Sequence, residues 1–234
     1  MGIKERQERD RETVRRAILD AARELFVTEG YSNVSMRKIA ERVEYSPAAL
    51  YGYFPSKDDI FFALAEEGFR LLHHGAARDV TALEPLPPLD RIREVFWRFY
   101  RFSCDQPQYF ALMFVDRTVP RVSREYERLG FAREIKAELL AEVQRCIDAG
   151  IFPARVPPMA VFRMLTTGIL GVAVMRLSDR LGPGENADNL ARDVLNVTIA
   201  GLQAGIAFHS TIDPCPLEVI TDGPAEAGRH VPSH

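Results

Sequence analysis

Between Ser35 and Lys57 the chain reads SMRKIAERVEYSPAALYGYFPSK, a stretch that combines hydroxyls, tyrosines, two guanidiniums and two ammoniums with very small side chains. Those groups suit the grip of a DNA duplex. Arg37 and Tyr51 are candidates for base-edge contacts, and Ala48 and Ala49 are small enough to meet thymine methyls. Ser35, Tyr53 and Lys57 are candidates for phosphate oxygens, and Ser46 completes the set at the head of the second helix. The second helix, which would enter the groove, lacks Arg, Lys, Asn and Gln, so part of its selectivity is expected to come from DNA shape.

Two short helices and a turn must hold these groups. Ser35 is an N-cap candidate for a helix with apolar Met36, Ile39, Ala40 and Val43 on one side and Arg37, Lys38, Glu41 and Arg42 on the other. After a turn at Glu44 and Tyr45, Ser46 can cap a second helix with Pro47 at its first position, where a missing N–H has no intrahelical partner to lose. Leu50 and Phe54 then face inward, Pro55 stops the helix, and Ser56 with Asp59 forms a capping box for a long helix that begins at Lys57. An earlier helix with Val14, Ile18, Ala21, Ala22, Leu25 and Phe26, ended by Gly30, closes a three-helix unit.

Ser35, Arg37, Ile39 and Ala40, followed by Ser46, Leu50, Tyr51, Tyr53, Phe54, Ser56, Lys57 and Ile60, resemble the signature of the tetracycline-repressor (TetR) family of bacterial transcription regulators. The resemblance covers about residues 13 to 65. It implies a helix-turn-helix head, a dimer that binds a near-palindromic operator, and a small effector held in the core of a larger C-terminal domain. Two positions depart from the family pattern. Glu44 stands where the turn usually has glycine, at a cost of about 1 kcal/mol if the residue is left-handed, and Ala48 replaces another common glycine.

The chain of 234 residues, 47% of them apolar, is long enough for a small module and a larger core. A net charge of -3 excludes a protein that coats nucleic acid by excess charge, and residues 1–60 hold eleven basic and eleven acidic side chains. Residues 1–12 read as a flexible arm or a solvated extension, without the apolar core of a signal peptide. Cys104, Cys146 and Cys215 are widely spaced, which fits inert thiols in a reducing cytoplasm. His73 and His74 are adjacent, face different directions on a helix and read as exposed helix-end residues.

No strand-like alternation appears, so an all-α fold of about nine helices is expected. Its parts are a head at residues 13–56, an effector-binding and dimerisation domain at 57–209 and a disordered tail at 210–234. ALEPLPPLD, residues 82–90, marks a proline-rich break, and a long helix fits residues 121–149. Val161–Leu177 and Leu190–Phe208 are apolar with interspersed glycines. Arg163 and Arg176 leave the first too short an apolar run for a membrane span. The two read as a homodimer interface of four helices or, alternatively, as internal core.

Phe96, Trp97, Phe99, Phe110, Met113, Phe162 and Met175 are candidates to line an apolar effector pocket. The sequence offers no paired carboxylates, nucleophile elbow, phosphate loop or metal cluster, so no catalytic residue, metal ligand or cofactor is assigned. A ligand-responsive repressor is the leading expectation, and a helical small-molecule carrier or enzyme with an apolar pocket is the alternative.

Overall fold

The computed structural model describes residues 2–77, 86–120 and 129–205. Among them every regular element is helical. Helix α1 spans Ile3–Glu29, a 3₁₀ turn Tyr31–Asn33, α2 Met36–Arg42, α3 Pro47–Tyr51 and α4 Lys57–Ala77. Helix α5 spans Pro88–Asp105, α6 Pro107–Phe110 with a π-helical turn at Ala111–Val115, α7 Gly130–Asp148, α8 Pro158–Leu177 and α9 Ala187–Gln203. The expected tail and residues 82–85 and 121–128 of the expected break and long helix lie outside the described residues.

Where a flexible arm was expected, α1 simply continues to Ile3, with residues 4–13 exposed. Once the apolar face from Ile18 onward anchors the helix, each further turn adds a hydrogen bond without a new nucleation cost. The extension is built from Lys, Glu, Arg and Gln, which favour helix, and no Gly or Pro interrupts it before Gly30. At φ 82° Gly30 ends α1, returning its N–H to the Phe26 carbonyl.

The head packs Ile18, Ala22 and Phe26 of α1 against Val34, Ile39, Ala40, Leu50 and Phe54. Ile60, Phe61 and Leu64 of α4 are completely buried in the same continuous core, so head and body share one apolar interior. Helix α5 is central to the body, packing on α4, α7, α8 and α9 with Phe96, Phe99, Tyr100 and Phe102 buried. On α4, Gly68 is under the Tyr109 ring and the Met113 thioether, where an added Cβ would collide with Sδ.

Helix α8 is long and apolar enough by length and composition to cross a membrane. Its Ala160, Val161, Leu165, Ile169, Val172 and Ala173 are nevertheless buried in the bundle. The small residues divide. Gly168 faces α9, where a Cβ would lie 2.7 Å from Val194 Cγ1, while Gly171 looks into open space beside exposed Met164 and Met175. Helix α9 likewise buries Ala191, Leu195, Ile199 and Leu202 and leaves Val197 73% exposed.

Candidate nucleic-acid interface and interior cavity

Helix α2 starts where the Ser35 hydroxyl accepts the Lys38 N–H at 3.2 Å, and α3 where the Ser46 hydroxyl accepts the Ala49 N–H at 3.1 Å. Between them the chain turns by a Schellman arrangement, with the Glu44 N–H on the Glu41 carbonyl and the Tyr45 N–H on the Ala40 carbonyl. Glu44 therefore takes φ 58°, the left-handed conformation that usually selects glycine. Met36, Ile39, Ala40, Leu50 and Phe54 face inward. Around them Arg37, Tyr45, Ala48 and Tyr51 are exposed, Ala49 is half-buried, and Ser35 and Ser46 sit at the surface as caps.

Arg37 projects on one exposed edge, its Nε 2.9 Å from Glu41 Oε1 and its side chain 81% exposed. Tyr53 is half-buried beneath the Arg11 guanidinium, 5.9 Å away. Lys57 behaves differently from the outward phosphate contact expected of it. Its Nζ donates to the Tyr31 carbonyl at 2.8 Å and lies 4.0 Å from that ring's centre, and burial holds its ammonium below the usual lysine range against the pull of Asp58. The Tyr31 hydroxyl donates to Asp58, and burial, reinforced by that bond, pushes the phenol upward.

Behind the head, α4, α5, α7 and α8 enclose a cavity of about 720 Å³. Phe69, Phe96, Phe99, Phe114 and Phe162 form its apolar walls, with Leu72, Val95, Ile135 and Leu139. Three of the seven sequence candidates, Phe96, Phe99 and Phe162, are on this lining. The other four lie elsewhere. Phe110 is buried in the aromatic stack against Phe99 and Phe114, and Met113 packs on Gly68. Trp97 is on the flank of α5 towards α9, beneath the Arg192 guanidinium at 4.0 Å, and Met175 is 38% exposed. His73, expected at the surface, is half-buried on the cavity wall, 3.4 Å from Glu138; the His74 side chain lies outside the described set.

Residues 18–64 match the sequence profile of the bacterial regulatory proteins of the tetR family. A helix-turn-helix transcriptional repressor of Mycobacterium tuberculosis is 37% identical over 65 residues, 28% of this chain and 35% of the relative. The repressor AcnR of Corynebacterium diphtheriae is 38% identical over 53 residues, 23% of this chain and 28% of its own. The TetR-family regulator PfmR from Thermus thermophilus superposes over 79% of this chain and 98% of its own, with a TM-score of 0.58 and 24% identity. Residues 18–64 are thus similar to the tetR-family regulatory proteins, and the chain as a whole shares the fold of PfmR. FadR from Bacillus subtilis, solved in complex with stearoyl-CoA, shares the fold over 79% of this chain and 97% of its own, with a TM-score of 0.65 and 17% identity. The matches to the two curated repressors span only about a third of those proteins' lengths.

The head and the body are joined by a polar seam in which the Arg16–Asp20 pair is local in sequence and the links to the body are not. Arg16 of α1 donates to both oxygens of Asp20 and to Glu67 of α4 at 2.5 Å. Hydrogen bonds to Asp20 and then Glu67 hold its guanidinium well above the usual range. From the same face of α1, Arg23 donates to the Tyr109 hydroxyl at 2.8 Å, and the Tyr31 N–H points to Asp116 Oδ2 at 3.4 Å. The cavity's charged lining was also invisible in the sequence. Arg91 of α5 and Glu142 of α7 pair at 3.0 Å across 51 residues of chain.

Proposed function

We propose that the protein is a DNA-binding transcriptional regulator, acting as a ligand-responsive repressor in the cytoplasm. The observation that carries this reading is the exposed ridge formed by Arg37, Ala48 and Tyr51 over the buried pair Ile39 and Leu50, set by two serine caps. Such a ridge suits the major groove, with Arg37 and Tyr51 on base edges and Ala48 and Ala49 against thymine methyls. Ser35, Ser46 and Tyr53 contact the flanking phosphates, and Lys57 does so after leaving Tyr31.

Two copies associate through the exposed faces of α8 and α9, where Met164, Gly171, Met175 and Val197 leave apolar surface uncovered in one chain. A twofold pair presents two α3 helices to successive major grooves about 34–36 Å apart or somewhat wider, so the operator is a near-palindrome. The interior cavity takes a small apolar effector, a reading supported by the aromatic lining and by the neighbour solved with stearoyl-CoA. Effector binding favours a conformation with lower DNA affinity, as it must if the ligand binds the two states unequally.

Selection of fragments from a random duplex pool, followed by footprinting, tests the reading. An inverted repeat protected by a dimer is expected, with affinity falling steeply as salt rises. A folded dimer that selects no sequence and protects no duplex refutes it and favours a helical carrier or enzyme built on the same cavity.

A further inference from the structure

Helix α1 runs about three turns further than the head needs. Its apolar face begins at Val14 and Ile18, whereas the helix starts at Ile3 and residues 4–13 are exposed. An extension that buries nothing contributes little to folding. Its charges are nonetheless sorted. At about 100° per residue, Lys4, Gln7, Arg11 and Arg15 fall on the side of α1 that further along packs Ile18 and Ala22 into the head. Glu5, Glu8 and Glu12 make an acidic stripe beside it, and Arg9 lies almost opposite the basic one.

The basic stripe leads to the end of α3. The Arg11 guanidinium is 5.9 Å from the centre of the Tyr53 ring, and the Arg15 guanidinium 5.2 Å from that of Phe54. Arg15 also reaches Glu12 at 3.6 Å. The cations of α2 are engaged by carboxylates, Arg37 by Glu41, Lys38 by Glu29 and Arg42 by Glu24. Arg11 meets a ring instead. A ring attracts a guanidinium without using its N–H donors, which stay available to an anion. Tyr53 is moreover the residue whose hydroxyl is a candidate for a flanking phosphate, so an anion held there is within reach of Arg11.

We infer that the first three turns of α1 form a second DNA-contacting element, in which Arg11 and Lys4 hold backbone phosphates just outside the groove entered by α3. Tyr53 positions Arg11, whose fork of N–H groups matches a phosphate edge. From Arg11 to Lys4 the helix advances seven residues, about 10 Å at 1.5 Å per residue, or about three base-pair steps at 3.4 Å. Each half-site extends by that much. The contacts position the head without reading sequence, because they end on phosphates and not on base edges. Sorting of this kind also lets a head with equal numbers of basic and acidic side chains attract a duplex, since one face of α1 is basic while the sum is neutral. This inference rests on the reading of the head as a DNA-binding module.

Binding of the full-length protein to its selected operator, and to a scrambled duplex of equal length, tests the inference across a range of salt concentrations. The double variant Lys4→Gln/Arg11→Gln should weaken both complexes by the same factor, about tenfold or more at low salt, and make the logarithmic salt slope shallower by about four for a dimer, one for each phosphate contact removed. Hydroxyl-radical cleavage of the operator should show protection lost from the outermost phosphates of each half-site and kept within it. Arg9→Gln removes the same charge from the opposite side of the helix and should leave affinity, slope and footprint as in the parent. Arg11→Lys keeps the charge and should keep most of the slope. None of these side chains is in the core, so each variant should match the parent's urea midpoint. An unchanged slope and footprint in the double variant overturns the inference, and so does an equal loss in Arg9→Gln, which reduces the effect to net charge. A loss confined to the operator overturns the assignment to phosphates. A parent protein that binds no duplex at all removes the reading of the head itself, a result distinct from the others.

Discussion

Replacing Arg37 by alanine separates what holds the head together from what it recognises. The Arg37 side chain is 81% exposed and its partner Glu41 62% exposed, one turn further along α2. An i,i+4 pair of this kind contributes about 0.2–0.5 kcal/mol, and alanine recovers part of that through its higher helix propensity. Arg37→Ala should therefore shift a urea unfolding midpoint almost imperceptibly. In contrast, a base-edge contact from an arginine is worth about 1–3 kcal/mol, a loss of roughly 5- to 150-fold in affinity per half-site. Fluorescence anisotropy with the selected operator and with a scrambled duplex of equal length measures both parts at several salt concentrations. The operator complex should weaken far more than the scrambled one, and the preference should relax at a single base pair in each half-site. Equal weakening on both duplexes would make Arg37 a phosphate contact, and unchanged operator affinity would remove it from the interface.

The other predictions concern the framework. Leu50 is completely buried beneath α3, so Leu50→Ala should cost about 2–5 kcal/mol in chemical denaturation and abolish the gel shift. Tyr109→Phe deletes the acceptor for Arg23 and should cost about 1.5–3 kcal/mol, read from the same denaturation experiment. Burial raises the Cys146 thiol to about 11, so it remains protonated at pH 8 and should resist maleimide until denaturant is added, as followed by peptide mass spectrometry. Because its folded value is raised, the stability Cys146 contributes is present below its unfolded value near 9 and is lost as pH rises through about 11.

The head was legible because its information is local. Serine caps, Pro47 at a first helical position and the spacing of Ile39, Leu50 and Phe54 each act within a few residues, and the helices start and turn where those signals lie. Even the departure at Glu44 could be read in advance, since the turn demands a left-handed residue whichever side chain occupies it. The cavity was legible only in part because its information is relational. Periodicity on α5 identifies Phe96, Trp97, Phe99 and Phe102 as apolar but is silent on which neighbour each meets, so Phe96 and Phe99 reach the chamber while Trp97 turns towards Arg192 on α9. Phe110 and Met113 were displaced for the same reason. Polar residues are conventionally assigned to water, which hid Arg91 and Glu142, paired across two helices distant in sequence. Lys57 shows the converse limit, where a charged side chain at a helix start folds back onto a ring contributed by the preceding turn.

Gly68 has a mechanical meaning for the whole molecule. It lets α4 approach Tyr109 and the Met113 thioether so closely that no Cβ fits between them, a contact that can be taken as a fulcrum. From that fulcrum to Lys57 is eleven residues, an arm of about 16 Å at 1.5 Å per residue. A tilt of about 5° at Gly68 swings the far end by roughly 1.4 Å, and each protomer of a pair would add its own displacement. Phe69, the next residue, lines the chamber, so the handle of the lever is within reach of whatever fills it.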